Sequence, residues 1–446
     1  MNSAFTRRAK VAWLLFDNAT IAFFVLIMIF IFGPYFVSHV APDPIIGQQI
    51  WGYTVAFAGI VVAVAAPLLG AIADKTGHRK LWIGGFSVLI VVGLVPLYFA
   101  LPDGRSNILM TLFSLAVAFV GVRLATTFNN GMLPHIVPPA SVGQYSGYGT
   151  AIGNIGGLVL IIFVLGFMVA DPATNKTLFA LHPILGLDAA SYQGERATAL
   201  LAAGWFCIFI TPLFLFAPDT DPEPGLKKPV RAGMAKLRAT LMSLPRRKSY
   251  MYLLISVMFY RNGISTLYVF GGIYAASVLD LPITIVGIFG ILAILFGAIG
   301  GFVGGLLDRR FGPKWVVQIG CIILALDCLL FISTSKTSIL FFIPANSDDV
   351  VIIVYLVAGA VAGFASNSVQ AASRSLLVRQ IDITESTEAF GLYDLASRIT
   401  AFTGPLSVAL LTQISGNQRV GIIPIVIFLL VGVIFLQKVD GRQHRK

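Results

Sequence analysis

Twelve runs of about 20 or more mostly apolar residues constrain this chain more than any other feature. At about 1.5 Å of rise per residue, each run is long enough as a helix to cross a bilayer core about 30 Å thick. The first six fall near 11–37, 49–73, 81–101, 108–133, 143–170 and 196–217. The second six fall near 249–278, 282–307, 315–335, 349–373, 387–413 and 418–437. With 57% hydrophobic and 11% charged residues, the 446-residue chain lies outside the range of a soluble domain. Backbone polar groups in lipid must be satisfied within the segment itself, so the expected class is an all-α polytopic membrane protein.

The basic residues orient the spans. Of the 31 Lys and Arg residues, 23 lie in the alternate loops that include both termini, 5 in the opposite loops and 3 inside the runs. This bias predicts that both termini and the central loop are cytoplasmic. The net charge of +11 is then read as topology and contact with anionic headgroups, not as affinity for nucleic acid. Arg7, Arg8 and Lys10 precede the first run as in a signal peptide. That run is too long for an h-region and no small-x-small cleavage site follows, so an uncleaved first span is expected.

An acidic-glycine-basic signature occurs twice between spans: Gly70, Asp74, Gly77, Arg79 and Lys80, then Gly304, Asp308, Gly312 and Lys314. Further pairs keep the same order. Phe16-Asp17-Asn18 matches Tyr260-Arg261-Asn262, and Phe24-Val25 matches Tyr268-Val269, both at an offset of 244. Asn129 similarly has a counterpart in Asn367, and Gly147 in Gly391. Shared order of this kind predicts six plus six helices as parallel repeats. The expected organisation is a bundle over 1–217, a cytoplasmic linker over 218–248 and a second bundle over 249–446. Within the linker, Met234, Leu237 and Leu241 recur at helical spacing beside Lys236 and Arg238. A short helix on the membrane surface and a solvated tether both fit.

These residues carry a family resemblance. Twelve spans, a long linker and G-x-x-x-D-x-x-G-x-R-K after the second span resemble the major facilitator superfamily. More narrowly, Ala12-Trp13-Leu14-Leu15-Phe16-Asp17-Asn18-Ala19, Phe32-Gly33-Pro34-Tyr35-Phe36, Phe270-Gly271-Gly272-Ile273-Tyr274, Gln370-Ala371-Ala372-Ser373-Arg374-Ser375 and Phe390-Gly391-Leu392-Tyr393 resemble the bacterial "unknown major facilitator" branch. That branch is related to the fungal autophagy-linked vacuolar amino-acid effluxers. The resemblance implies twelve transmembrane helices in two pseudo-symmetric six-helix bundles, working by alternating access in a bacterial inner membrane. It implies a small polar or amphipathic solute, an amino acid exported with proton exchange being the leading expectation. A drug, sugar derivative, peptide fragment or lipid precursor, or a non-transporting receptor, are the alternatives. Protons and membrane lipids are the further partners, and a monomer is the expected functional unit. The sequence departs from the superfamily pattern at two places: Thr126 and Thr127 follow Arg123 where glutamine-glycine is typical, and His78 stands where arginine is common.

Ionisable side chains inside spans cost about 2.5–3.5 kcal/mol unless they face protein or water, so they mark candidate sites. Arg261, near the middle of span seven, has no acid close by on its own helix and offers a planar fork to a carboxylate or phosphate. Asp17 and Arg123, on spans that line the cavity in the resembled fold, form either a proton-coupled pair or a static salt bridge. Asp394 and Arg398 are i,i+4 neighbours on span eleven, with Tyr393 beside them. Asn129, Asn130 and Asn154 either bind polar groups of the substrate or stitch helices together. Asp327, on span nine, is expected to be a helix-contact residue. The two loop signatures are expected to gate the cytoplasmic side.

No cofactor, metal or catalytic machinery is expected. The five histidines lack metal-site spacing. No Walker sequence and no nucleophile with a histidine base are visible, so an enzyme is not the expected reading. Cys207, Cys321 and Cys328 all fall in spans, which leaves no external disulfide framework.

Overall fold

Apolar composition over whole turns, rather than alternation, makes nearly every element a helix. The computed structural model describes residues 7–76, 78–102, 107–137, 142–219, 247–344, 348–381 and 386–440. The expected linker helix lies outside the described residues.

The first six spans are α1 (Arg7–Val40), α2 (Pro44–Thr76), α3 (Arg79–Leu94, extended by a 3-10 turn at Val95–Phe99), α4 (Ile108–Ile136), α5 (Val142–Phe167) and α6 (Gln193–Phe216). Beyond the linker come α7 (Lys248–Ser277), α8 (Ile283–Phe311), α9 (Pro313–Ser333) and α10 (Asp348–Arg379). The last elements are α11 (Ser386–Ile399), α12 (Thr403–Ser415), α13 (Gln418–Gly421) and α14 (Ile423–Gln437). Twelve helices among the described residues are long and apolar enough to cross a membrane. The chain is therefore an all-α polytopic membrane protein, as its hydropathy requires. Two short antiparallel hairpins, β1–β2 (Ala170–Asp171 with Lys176–Thr177) and β3–β4 (Ser338–Ile339 with Ile343–Pro344), cap loops.

Two elements differ in detail from the expected spans. Span eleven is broken between α11 and α12. There Thr403 donates both its backbone N–H and its hydroxyl to the Thr400 carbonyl, at 2.9 and 2.7 Å. Pro405 follows, and its ring has no room against the carbonyl four residues earlier in a continuous helix. Helix α1 is widened into π-helix at Phe23–Phe30 and again at Phe36–Val40. Such stretches are rare and recur at functional positions.

The chain divides into two compact units, Met1–Pro42 with Phe57–Ala239, and Asp43–Ala56 with Thr240–Lys446. In the first unit α1 packs on α5 and α6, and α3 on α4. The closest of these approaches is made by Gly156 of α5. A Cβ there would lie 1.6 Å from Asn18 Oδ1, so only glycine lets α1 sit against α5. In the second unit α8 packs along α10, α7 along α14, and α9 on both α10 and α14. The opening residues of α2 join this second unit: Gln48 Nε2 donates to Thr412 Oγ1 at 2.8 Å, and Gln418 Nε2 to the Pro44 carbonyl at 2.8 Å.

Candidate functional site

Each unit brings several of the candidate residues into polar or aromatic contact. In the second unit, Arg261 is half-buried on α7 and its guanidinium lies 5.3 Å from the centre of the Tyr393 ring. The Tyr393 hydroxyl is 2.5 Å from Ser373 Oγ on α10, and Ser373 is bonded in turn to the hydroxyl of Tyr260. Tyr260, Ser373 and Tyr393 are all buried. Asn262, the next residue on α7, donates to Thr400 Oγ1 at 2.8 Å. Three helices are thus joined by hydroxyls and an amide around one cation. A guanidinium held against an aromatic face keeps its donors aligned for a planar anion such as a carboxylate.

In the first unit the centre is Asn129 on α4. Its backbone carbonyl accepts the Trp13 indole N–H at 2.8 Å. Its side-chain amide is buried, and both Oδ1 and Nδ2 lack a hydrogen-bond partner among the described residues. An unpaired buried amide is costly, so such a group points to an occupant that satisfies it. Asn18 is similar: its carbonyl accepts the Trp205 indole at 2.8 Å, while its Oδ1 has no partner among the described residues. Arg123 lies 4.7 Å from the ring of Phe24 and 5.1 Å from that of Phe119. Phe24 belongs to the π-helical stretch of α1. Asp17 is half-buried on α1 beside Gly149 of α5, where a Cβ would stand 2.4 Å from its Oδ2.

The remaining candidates are dispersed. Asn130 is half-buried, and Asn154 is exposed on α5. Arg398 is half-buried on α11, and the side chain of Asp394 lies outside the described residues. Asp327 is buried on α9, and its Oδ2 has no partner among the described residues.

The two loop signatures form matching elbows. Lys80, in the first turn of α3, donates from Nζ to the carbonyls of Phe214 and Ala217 at 2.7 and 2.8 Å. Lys314, in the first turn of α9, donates to Gln437 and Val439 at 2.9 and 2.7 Å. Each lysine therefore caps the end of the last long helix of its own unit, where carbonyls lack intrahelical donors and the helix dipole favours a cation. Arg79 donates to the Gly131 carbonyl near the end of α4. Asp308 pairs with Arg379 at 3.2 Å, joining the ends of α8 and α10. Gly304 is buried against Ser368, and Gly312 turns the chain between α8 and α9. Gly70 is half-buried, while Gly77 and the side chain of Asp74 lie outside the described residues.

Sequence reasoning does not single out Tyr260, Ser373, Thr400 or Asn18 as site residues. A signal exists for three of them, since Asn18 and Tyr260 belong to the repeated triplet and Ser373 lies within a family-like stretch. Thr400 joins the cluster only through the break between α11 and α12, which carries no motif.

The family described as "Vacuole effluxer Atg22 like" matches residues 47–446. The chain belongs to this family. It is 25% identical over 447 residues to the uncharacterized MFS-type transporter YxiO of Bacillus subtilis, covering 98% of this chain and 95% of that protein. It is 23% identical over 320 residues to Autophagy-related protein 22 of Cryptococcus neoformans, covering 69% of this chain and 52% of that protein. The chain thus spans about half the length of its fungal relatives. Among solved structures it is similar to a D-xylose-proton symporter (TM-score 0.68, 13% identity, 98% of both chains covered). It is also similar to the nucleoside transporter NupG (TM-score 0.62, 13% identity, 98% of both chains covered). At such identities the likeness shows the fold, which is the twelve-helix, two-bundle fold of the major facilitator superfamily. The Atg22-like chain is a secondary active transporter working by alternating access, not an enzyme.

Proposed function

We propose that this transporter moves small amino-acid-like solutes and exports them in exchange for protons. The observation that carries the reading is Arg261, held over Tyr393 and flanked by the Tyr260–Ser373–Tyr393 hydroxyls. The guanidinium supplies the two parallel donors that a carboxylate accepts, and the hydroxyls suit the remaining polar atoms of a small zwitterion. The unsatisfied amide of Asn129 gives the first unit a group that both donates and accepts. The description of the matched family as a vacuole effluxer supports the direction, export.

Asp17 is the proposed proton site, with Arg123 as the group whose pairing the proton relieves. The two elbows are the proposed cytoplasmic gates. The contacts of Asp308 and Arg79 change during the cycle, Asp74 is the counterpart of Asp308 in the repeated signature, and Lys80 and Lys314 brace each elbow. The excess of Lys and Arg in alternate loops supports an inner-membrane placement with both termini cytoplasmic. A monomer suffices for this mechanism.

The test is an untargeted metabolite-flux screen with the full chain in proteoliposomes, repeated under imposed pH gradients. Gradient-dependent movement of zwitterionic amino acids is expected. Movement confined to solutes without a carboxylate would overturn the substrate class, and solute binding without any flux would overturn transport.

A further inference from the structure

A cavity of about 250 Å³ lies on the flank of the second unit, between α8, α9 and α10. Leu307 and Phe311 wall it from the last turns of α8, and Trp315, Ile319 and Ile323 from one face of α9. Besides the indole N–H of Trp315, Ser368 of α10 supplies the one polar side-chain group among the lining residues. Its hydroxyl is committed elsewhere, bonding to the carbonyls of Gly300 and Phe364 at 2.7 and 2.8 Å. Apart from the Trp315 indole the wall is therefore apolar, and water finds few partners there.

Its mouth faces lipid. Phe311 and Trp315 are 56% and 58% exposed, and Phe302, Leu306, Ile322 and Leu326 continue the exposed apolar surface around it. One end of the mouth is charged. The Arg310 guanidinium lies 5.3 Å from the ring of Phe311, which itself lines the cavity, and both Arg309 and Arg310 are exposed. Helix α7 starts beside the linker at Lys248 and α8 returns toward that side, so this end lies at the membrane surface nearest the linker. An apolar cleft with tryptophan and arginine at its end matches the parts of a phospholipid in order: acyl chain, ester region and phosphate.

We propose that this crevice is a specific site for an anionic phospholipid. One acyl chain occupies the cavity along α9, and the headgroup phosphate meets Arg310. A zwitterionic lipid offers the same chain, but its own cation offsets the attraction of the phosphate. Selectivity for net negative headgroups is thus the signature that separates a site from ordinary lipid contact. None of the lining residues belongs to the Arg261 cluster, so the site is independent of the solute assignment.

Trp315 provides the readout. The full chain and its Trp315→Phe variant are reconstituted in phosphatidylcholine vesicles containing increasing fractions of phosphatidylglycerol brominated on its acyl chains. The difference between the two proteins isolates Trp315 fluorescence. Quenching is expected to half-saturate at a several-fold lower fraction of brominated phosphatidylglycerol than of brominated phosphatidylcholine. In Arg310→Gln, an exposed substitution, the two curves are expected to converge while the unfolding temperature stays the same. Coincident curves in the unaltered protein would reduce the crevice to ordinary lipid contact and overturn the proposal. Selectivity that survives in Arg310→Gln would overturn the assigned headgroup contact.

Discussion

Replacing Lys314 or Lys80 with methionine removes two hydrogen bonds from the end of the last long helix of one unit while keeping most of the side chain's apolar bulk. The four bonds span 2.7–2.9 Å. A hydrogen bond involving a charged group contributes about 1.5–3 kcal/mol net, and a cation at a helix C-terminus adds about 0.3–1 kcal/mol. Both lysines are partly exposed, and the carbonyls freed by the substitution can turn to water, so the two bonds together count as one at the low end, about 1.5 kcal/mol, and the helix end adds about 0.3–0.5 kcal/mol. The expected loss is about 2 kcal/mol per lysine. For a unit of roughly 200 residues that corresponds to a fall of about 4–8 °C in unfolding temperature. Thermal unfolding of the purified variants measures it. The two lysines share no partner and lie in different units, so in the double variant each unit should lose what its own single variant loses, to within about 0.3–0.5 kcal/mol. Unchanged stability in both variants would refute the capping argument. So would a large effect at one lysine and none at the other, because the two geometries match.

Arg261→Lys retains the charge but loses the fork, and Arg261→Met loses both; solute affinity should fall in each and further in methionine. Loss of the ring contact in methionine costs about 0.5–2 kcal/mol of stability, and equilibrium binding on folded protein measures the affinity apart from it. Ser373→Ala removes the hydroxyl that links Tyr260 to Tyr393. It should cost about 1–3 kcal/mol of stability and weaken solute binding, with Ser373→Thr restoring both. Asp17→Asn should leave equal-concentration exchange intact and abolish pH-driven accumulation in proteoliposomes; accumulation at the unaltered rate would exclude Asp17 as the proton site.

The span boundaries were legible because lipid leaves a chain few choices: apolar runs of about 20 residues must become helices, and their ends sit where Pro, Gly and charges collect. Departures arose where local chemistry competes with the helix. Thr400, Thr403 and Pro405 break span eleven through hydrogen bonds that hydropathy does not register. The π-helical turns of Phe23–Phe30 leave no compositional trace in a segment that is apolar throughout. Arg261 stood out in the sequence because a lone cation in a span is conspicuous. Ser373 and Thr400 did not, since hydroxyl residues are common in membrane helices and gain meaning only from the neighbours they meet. The repeated lysines were visible as a motif, but that each reaches the last long helix of its own unit depends on how six helices close on one another. The same holds for Asn129, whose unsatisfied amide is a property of packing, whereas Asn154, equally conspicuous as an amide within a span, is exposed.

The most direct test of the account is counter-flow of radiolabelled neutral amino acids in proteoliposomes containing either the unaltered chain or Arg261→Met, with and without an imposed pH gradient. The account predicts amino-acid flux that the gradient accelerates in the unaltered protein and that disappears in folded Arg261→Met. Folded protein that carries another class of solute, but moves no amino acid under either condition, would contradict it.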